Sequence, residues 1–422
     1  MAWKKHRSVM VQMPTGTGKT VLMAEVIKQF ITRHSPFVME GGDYVLVVAH
    51  RRELIEQIKE TIKAYGIEGG AVRVESIQKL SREMNGSGLR EGGGGLDEGV
   101  SDPSLVIIDE AHHALAKTYR MLWDRLPKAK FLGLTATPCR LNNAPFTDLF
   151  DKLIIAMPVK DFIKQGFLAP YKYFSLRSDS DIQRTIDDIE LDKFGEYKES
   201  SMEEKMDIGS IRAQLLDSYL TLAEGKKGII YAINIAHAKH ICIEYEKAGY
   251  KAVSIDSKTP ATTRKELVNK FKKSEIDIIV NVDIFSEGFD CPDIEFIQLA
   301  RPTRSLVKYL QQVGRGLRPT ENKANCVILD NVGMYSRFGL PDARRHWHQH
   351  FMGKKGGEEP PKVIPKGTGK SRNVDLSEGT EDMELIQDVE GDVEVTENNI
   401  ITSEVPTDIL PAVFEDFFPI FG

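Results

Sequence analysis

Short apolar runs alternate with segments of helical periodicity along most of the chain. The runs are hydrophobic at consecutive positions, as in Leu105-Val-Ile-Ile108, which is typical of parallel strands buried on both faces. This alternation indicates repeated strand–helix units around parallel sheets. In the first part of the chain it predicts strands at residues 9–12, 44–49, 71–75, 105–108 and 131–134, and helices at 19–34, 51–65 and shortly after 76.

The pattern changes near residue 157 and then resumes. A connecting helix at 159–166, a strand at 171–174 and a charged helical stretch at 178–207 precede a second alternating series. This series predicts strands at 228–232, 251–255, 277–282, 294–299 and 325–329, with helices at 235–248, 260–273 and 305–316. We therefore predict an α/β chain with two parallel-sheet domains in tandem, at residues 1–156 and 157–340, then a basic and aromatic segment with a linker at 341–373, and an acidic tail at 374–422.

Composition agrees with this organisation. A chain of 422 residues is long enough for two or three domains, and its 41% hydrophobic and 28% charged residues are typical of a soluble globular protein. No apolar run approaches the roughly 18 residues of a membrane span, so we expect a cytoplasmic location. The four cysteines stand far apart with no C-x-x-C pair, which favours neither a zinc site nor a disulfide framework.

Charge is distributed unevenly. Residues 374–422 contain 14 of the 62 acidic residues and none of the 56 basic residues. Residues 1–373 therefore carry 48 acidic against 56 basic side chains, a formal excess of 8 positive charges. Such an excess is compatible with a nucleic-acid partner. The acidic tail, which ends in Phe417-Phe-Pro-Ile-Phe421, is expected to be disordered or to form short edge strands.

The stretch from Met13 to Thr20, Met-Pro-Thr-Gly-Thr-Gly-Lys-Thr, lies between a predicted strand and a predicted helix. A glycine-rich turn there directs backbone N–H groups and a helix N-terminus at one point, where a phosphate chain can bind. The pattern is a slightly relaxed P-loop, because its first position is Met13 instead of glycine; the alternative is an ordinary glycine turn. Lys19 would reach the β- and γ-phosphates and Thr20 would bind Mg²⁺, within a loop formed by Pro14, Thr15, Gly16, Thr17, Gly18, Lys19 and Thr20.

Two carboxylates follow the buried run at 105–108. Asp109 and Glu110 stand at the carboxyl end of a parallel strand, which is where open α/β sheets bind ligands. We expect Asp109 to hold Mg²⁺ through water and Glu110 to orient and deprotonate the attacking water. The alternative, a solvated strand end, is less compatible with a P-loop in the same domain.

Several motifs in order resemble those of the superfamily 2 helicases and translocases, over roughly residues 5–340. They are Met13 to Thr20, Asp109-Glu-Ala-His112, Thr135-Ala-Thr137 and Gln311-Gln-Val-Gly-Arg-Gly-Leu-Arg318. The stretches 47–54, 76–78 and 281–292 are similar to further family motifs. The sequences of the motifs at 281–292 and 311–318 resemble those of motors in restriction, repair and phage systems more than those of RNA helicases. This resemblance favours DNA as the nucleic-acid partner.

The resemblance implies two RecA-like domains with ATP between them and a nucleic-acid strand across both. It implies that Arg315 and Arg318 are arginine fingers and that Gln311, Gly288 and Asp290 contact the nucleotide or the catalytic water. It also implies nucleic-acid contact or coupling roles for His50, Arg51, Gln78, His112, Thr135 and Thr137.

Simpler interpretations remain beside these roles. Arg315 and Arg318 lie three apart on a predicted helix and could form a solvated basic face, and His50, Arg51 and Arg52 could be a solvated helix N-terminus. The alternation of His346, His348 and His350 is not accompanied by Cys or carboxylate partners at ligand spacing, so a metal site there is disfavoured.

The function predicted from these motifs is an ATP-dependent helicase or translocase, with ATP and Mg²⁺ as ligands and DNA favoured over RNA as partner. The alternative is a nucleic-acid-binding scaffold with a weak ATPase. Only twelve residues precede Met13, where family members usually carry an adenine-reading segment, so we expect a truncated start or a weak preference for ATP. The acidic tail is a candidate site for a protein partner, against the alternative of a solvated end.

Overall fold

The protein forms two compact α/β units. The computed structural model describes residues 5–33, 44–67, 70–86, 102–114, 117–177, 180–283, 291, 293–320, 323–354 and 383–389. Within these residues, unit 1 comprises 5–157 together with 346–354, and unit 2 comprises 158–345 together with 383–389.

Unit 1 is built on a six-stranded parallel sheet in the order β3-β2-β4-β5-β1-β6. Every residue of β1, β2 and β4 is buried, because helices can cover both faces of a sheet whose strands run parallel. The strands are β1 (Ser8–Gln12), β2 (Val45–Ala49), β3 (Val72–Ser76), β4 (Leu105–Ile108), β5 (Lys130–Thr135) and β6 (Lys152–Ile155).

The helices of unit 1 follow the strands in alternation. They are α1 (Lys19–Arg33), α2 (Arg52–Ala64), α3 (Ile77–Gly86) and α4 (Lys117–Arg125), with a single 3₁₀ turn at Ala111–His113. On the α4 side, the Trp123 ring stacks on Phe131 of β5 with centroids 4.1 Å apart. Burial of such aromatic area fixes the helix against the sheet.

Unit 2 contains a seven-stranded sheet in the order β13-β7-β12-β11-β8-β10-β9. Six strands are parallel, and β13 pairs with β7 in the antiparallel direction at the edge. The strands are β7 (Tyr171–Leu176), β8 (Gly228–Tyr231), β9 (Ala252–Ile255), β10 (Ile278–Asn281), β11 (Phe296–Leu299), β12 (Cys326–Asp330) and β13 (Met383–Val389).

Eight helices belong to the described part of unit 2. They are α5 (Val159–Lys164), α6 (Asp181–Asp187), α7 (Glu199–Met206), α8 (Gly209–Leu222), α9 (Ile235–Lys247), α10 (Ala261–Lys272), α11 (Leu306–Gly316) and α12 (Met334–Phe338). Asparagine or serine side chains cap three of them: Ser180 accepts from the Gln183 N–H, Asn234 from the His237 N–H and Ser305 from the Lys308 N–H.

The prediction of two parallel-sheet α/β domains is confirmed, and the eleven predicted strands are all present with ends shifted by up to two residues. The sequence analysis missed the edge strand β6 and the helices α4 and α8. The continuous helical stretch predicted at 178–207 is wrong in its middle, where Leu191 and Tyr197 form an antiparallel bridge between α6 and α7. Asp192 closes that turn, since its side chain accepts from the N–H groups of Phe194 and Glu196.

One strand, β13, is described after residue 354, and it pairs with β7 in the antiparallel direction. The expectation for the acidic tail as a whole stays a prediction. The aromatic end of the tail at 417–421 lies outside the described residues. Among the helices that are described, none is both long and apolar enough to cross a lipid bilayer.

A short helix that follows unit 2 in sequence belongs to unit 1 in space. This helix, α13 (Trp347–Phe351), places the Phe351 ring parallel to that of Phe146, with centroids 6.1 Å apart. The Phe351 carbonyl accepts a hydrogen bond of 2.9 Å from the Phe146 N–H. Phe351 is 5% exposed and is part of the same buried cluster as Trp123 and Phe131.

Replacing Phe351 should therefore destabilise unit 1 although the residue lies beyond the second sheet in sequence. We expect Phe351→Ala to lower the free energy of unfolding of unit 1 by about 3–5 kcal/mol, through lost burial and an unfilled cavity. Urea denaturation followed by the fluorescence of Trp123 measures this. The matched control is Met352→Ala, whose side chain belongs to a residue that is 45% exposed. Equal midpoints for the two variants would contradict the assignment of α13 to the unit 1 core.

Candidate nucleotide and nucleic-acid site

The predicted P-loop connects the end of β1 to the start of α1. Gly16 and Gly18 adopt φ angles of 87° and 91°, a region that other residues rarely enter. The Thr17 hydroxyl donates to the Pro14 carbonyl at 2.7 Å and closes the turn. Lys19 begins α1, and its ammonium donates to the Met13 carbonyl at 3.4 Å. The loop thus has the backbone that a phosphate-binding turn before a helix N-terminus requires.

The strand order brings the motifs of unit 1 together at one edge of the sheet. β5 lies between β1 and β4, so the segments that follow these three strands are neighbours. Gln12 pairs with Thr135, and the Met13 N–H donates to the Thr135 carbonyl at 2.9 Å. The Gln12 side chain donates to the Ala136 carbonyl at 3.0 Å. The base of the P-loop and the Thr135–Thr137 segment are therefore hydrogen-bonded to each other.

Asp109 and Glu110 leave β4 at this same edge. The Asp109 N–H donates to the Val48 carbonyl at 3.0 Å, which extends the β2–β4 pairing, and Asp109 is 6% exposed. Glu110 follows with a left-handed backbone at φ 47° and ψ 52°. A non-glycine residue in this region is uncommon and often marks a functional position.

His112 joins the acidic pair to Thr135. Its Nδ1 lies 3.3 Å from Glu110 Oε2 and 3.1 Å from Thr135 Oγ1. The same hydroxyl accepts from the Thr137 N–H at 3.1 Å, and both threonines are fully buried. One ring nitrogen thus contacts a carboxylate and a hydroxyl. A protonated Nδ1 can donate to either oxygen, whereas an unprotonated Nδ1 can accept only from the Thr135 hydroxyl. His112, Thr135 and Thr137 are brought together as the motifs predict.

Arg140 supports this arrangement and was missed by the sequence analysis. Its Nε donates to the His112 carbonyl at 3.1 Å, and its NH1 donates to the carbonyls of Ala144 and Pro145. The guanidinium lies 3.4 Å from the Phe146 ring centroid, and burial lowers the pKa of Arg140 to about 9. A basic residue five positions after Thr135 was the available signal, but spacing alone does not reveal a bond to a backbone carbonyl.

Two of the predicted nucleic-acid residues also meet. The Gln78 side chain donates to the His50 carbonyl at 3.1 Å, and the His50 ring lies 4.6 Å from that of His113. The His113 ring is in turn 4.1 Å from that of His112. Arg51 stands immediately before α2 with an extended backbone. The segments after β2 and β3 therefore connect through His113 to the acidic motif.

In unit 2, helix α11 carries Gln311 and Arg315 on its buried side. Gln311 is 3% exposed and Arg315 is 7% exposed, which excludes a solvated basic face for Arg315. The prediction that Arg318 shares this helix is wrong, because α11 ends at Gly316. Arg318 lies in the turn that follows, so its direction is set by the path of that turn and not by helical periodicity.

The charges of both arginines act on the buried hydroxyl of Tyr231. This tyrosine ends β8 and is 2% exposed, and burial raises the pKa of its hydroxyl while the charges of Arg315 and Arg318 oppose that rise. Both guanidinium charges are thus close enough to affect one buried hydroxyl at the carboxyl end of β8. Gly288 and Asp290, which the motif resemblance also assigns to the nucleotide, lie outside the described residues.

Lys323 is a second residue that the sequence analysis missed. Its Nζ donates to the carbonyls of Gly316 and Arg318, each at 2.6 Å, and it is 4% exposed. A single lysine in a loop gives no sequence signal that distinguishes it from a solvated side chain.

Two family descriptions match the chain. "DEAD/DEAH box helicase" matches residues 1–144, and "Helicase conserved C-terminal domain" matches residues 211–320. The first match contains the P-loop and the acidic motif. The second contains α11 with Arg315, and Arg318 in the turn that follows.

The chain is also similar to individual proteins. It is 35% identical over 353 residues to a 51.5 kDa protein of a Lactococcus phage, covering 83% of this chain and 72% of that protein. It is 28% identical to the proposed ATP-dependent helicase IRC3 of Saccharomyces cerevisiae, covering 77% of this chain and 48% of that protein. The chain thus spans most of the phage relative and about half the length of the yeast relative.

Solved structures share the fold. A fragment of a proposed HsdR subunit of a type I restriction enzyme from Vibrio vulnificus YJ016 superposes with a TM-score of 0.57 at 20% identity, covering 80% of this chain and 63% of the other. The restriction-modification enzyme LlaBIII bound to DNA gives a TM-score of 0.52 at 16% identity, covering 77% of this chain and 26% of that enzyme. With these matches, the two tandem parallel sheets and the ordered motifs, the chain belongs to the superfamily 2 helicases, a family of ATP-hydrolysing enzymes.

Proposed function

We propose that this chain is a DNA-stimulated ATPase that uses hydrolysis to translocate along DNA or to unwind it. The observation that carries the proposal is the convergence at one sheet edge of unit 1. The P-loop, the Asp109–Glu110 pair and the Thr135–Thr137 segment follow three adjacent strands and are linked by hydrogen bonds. Phosphate binding, water activation and coupling thus involve contiguous residues.

The loop from Pro14 to Thr20 is proposed to bind the phosphates of ATP. The positive φ angles of Gly16 and Gly18 form a backbone concavity that suits phosphate oxygens, and Lys19 supplies a positive charge at the helix start. The residues also fit Mg²⁺, since Thr20 and Asp109 offer hard oxygen ligands. When bound, this ion would neutralise charge on the phosphates of the nucleotide.

Glu110 is proposed as the group that orients and deprotonates the attacking water. Its carboxylate lies at the edge of the sheet where the motifs meet. It contacts His112, and His112 in turn contacts Thr135. A change in Glu110 or its surroundings can therefore move His112, Thr135 and Thr137 together. This provides a route by which hydrolysis and nucleic-acid contact affect each other, with His50, Arg51 and Gln78 as the proposed contact residues.

Unit 2 is proposed to supply Arg315 and Arg318 to the triphosphate, and Gln311 to the nucleotide. A guanidinium cannot lose its proton near neutral pH and can bind phosphate oxygens with two N–H groups at once. Charge on the transferred phosphoryl group is the principal quantity that such enzymes must stabilise. An arginine supplied by a separate unit allows hydrolysis to depend on the conformation of the whole chain.

DNA is the proposed partner because of the similarity to restriction enzymes, one of which was solved with DNA bound, and because of the positive excess over residues 1–373. The contacts are expected to be mainly with phosphates, which makes binding tolerant of sequence.

Glu110→Gln tests the proposed chemistry. The amide keeps the size of the side chain but cannot accept a proton, so we expect ATP turnover to fall at least ~100-fold while nucleotide binding persists. Phosphate release and fluorescent-nucleotide binding measure the two quantities. Glu60→Gln on the exposed face of α2 is the matched control and should behave as wild type. Wild-type turnover in Glu110→Gln would remove Glu110 from the proposed role.

The choice of nucleic acid is tested by stimulation of the ATPase with single-stranded DNA, duplex DNA and RNA of equal length. We expect DNA to stimulate most, and the apparent affinity to fall steeply as salt is raised because phosphate contacts release counterions. Stimulation by RNA alone would contradict the DNA assignment while leaving the ATPase intact. Binding of DNA without any hydrolysis would instead support a nucleic-acid-binding scaffold.

Arg315→Lys tests the arginine assignment. Lysine keeps the charge but cannot make paired hydrogen bonds, so we expect kcat to fall by about 100-fold or more with a small change in KM for ATP. Steady-state kinetics with saturating DNA measures both parameters. Arg184→Lys, at an exposed position of α6 in the same unit, is the control. If both variants retain the wild-type kcat, Arg315 does not act on the transition state.

A further inference from the structure

The turn that carries Arg318 is held by one buried lysine. Lys323 donates from Nζ to the carbonyl of Gly316, the last residue of α11, and to the carbonyl of Arg318, both at 2.6 Å. The carbonyl between them, that of Leu317, accepts from the Ala169 N–H at 2.7 Å. Three successive carbonyls after Arg315 therefore have defined donors, and Lys323 supplies two of them.

The helix end itself is fixed against the sheet. A Cβ atom placed on Gly316 would lie 2.4 Å from Cys326 Sγ and 2.8 Å from Ile297 Cγ1, so glycine is needed for this close approach to β11 and β12. The position of Arg315 is set by this packing. Arg318 lies beyond it, and its backbone depends on the Lys323 bond at its own carbonyl.

The ammonium is the form of Lys323 that makes these bonds well, because a charged donor forms hydrogen bonds roughly twice as strong as a neutral one. The charges that act on it are those of Asp293 and Glu295 before β11, Cys326 in β12 and Arg318. Burial outweighs the two carboxylates and lowers the pKa of Lys323 to about 8.

The lowered pKa of Lys323 makes the stability of the fold depend on pH. The pKa of Lys323 is lower in the folded protein than its ordinary value of 10.5, so the unfolded chain binds more protons between about pH 8 and pH 10.5. Through Lys323, the folding free energy therefore becomes more favourable as the pH rises through this interval. Folding alone does not require the charge on Lys323, and loss of that charge cannot by itself unfold unit 2.

We propose that Lys323 is a positioning residue for ATP hydrolysis, whose ammonium holds the carbonyls of Gly316 and Arg318 so that Arg315 and Arg318 are presented together. The inference rests on the proposed role of this arginine pair. Deprotonation of Lys323 loosens the turn and releases Arg318, while Arg315 stays on its helix. The expected result is an enzyme whose turnover depends on the charge of a residue that does not touch ATP.

The test compares DNA-stimulated kcat and KM for ATP between about pH 6.5 and pH 10 in the full chain, with thermal melting at each pH. Wild type should lose kcat as the pH rises through about 8, without a fall in melting temperature. Lys323→Met, which matches the length of the side chain but has no charge, should lower kcat by about 10- to 100-fold at neutral pH and show no such alkaline loss. Lys323→Arg keeps its charge and should move the loss to higher pH. Lys239→Met, at an exposed position of α9, should keep the wild-type profile.

Other outcomes overturn the inference. A wild-type kcat and pH profile in folded Lys323→Met would show that the lysine is not needed, and an unchanged alkaline loss in Lys323→Arg would assign that loss to another group. A parallel fall of melting temperature and kcat with pH in wild type would indicate a structural role only. If wild type hydrolyses ATP and Arg315→Lys is inactive, the proposed role of the arginines holds, and the contradicting outcomes above overturn only the positioning role of Lys323. Absence of DNA-stimulated hydrolysis in wild type would count against the proposed function itself.

Discussion

The position of β5 between β1 and β4 is the constraint on which the candidate site depends. Parallel strands end at the same edge of a sheet, so the residues that follow adjacent strands meet without any need for long loops to fold over. Thr135 is the point of contact. Its carbonyl accepts from the P-loop side, and its hydroxyl contacts His112 and accepts from Thr137. A shift of one residue in the β1–β5 register would separate these groups and expose the opposite faces of both strands.

Much of the fold and of the candidate site was predictable from the sequence, because the sequence patterns that specify them are local. A run of four apolar residues followed by two acids, or glycines before Gly-Lys-Thr, specifies both a backbone shape and a chemical group within a few positions. The fold class follows from the alternation of strands and helices. The helix α8 was missed since its mixed sequence gives weak helical periodicity, and α4 was missed since it is only nine residues long and mostly polar. The strand β6 was missed since its hydrophobic run of three residues is short.

The supporting contacts were not predictable, for a different physical reason. Arg140 and Lys323 act on backbone carbonyls, and every residue has a carbonyl, so no partner residue appears in the sequence. The predicted end of α11 at residue 316 agrees with the structure, but the close approach of β11 and β12 that requires glycine there is a tertiary effect that the Gln-x-x-Gly-Arg pattern does not reveal. Motif spacing identified Arg315 and Arg318 but described them wrongly as members of one helix.

The return of α13 to the first core means that, within the described residues, the polypeptide passes between the two units three times: near Pro158, near Arg345 and between residues 354 and 383. A protease that cuts near Pro158 alone or near Arg345 alone leaves the two units joined by another passage, and a fragment released after Arg345 would still be held by the aromatic contact with Phe146. Expression boundaries are affected as well. A gene fragment that stops after β12 and before residue 346 removes part of the first hydrophobic core, so loss of activity on such shortening would reflect damage to the nucleotide-binding unit at the opposite end of the sequence.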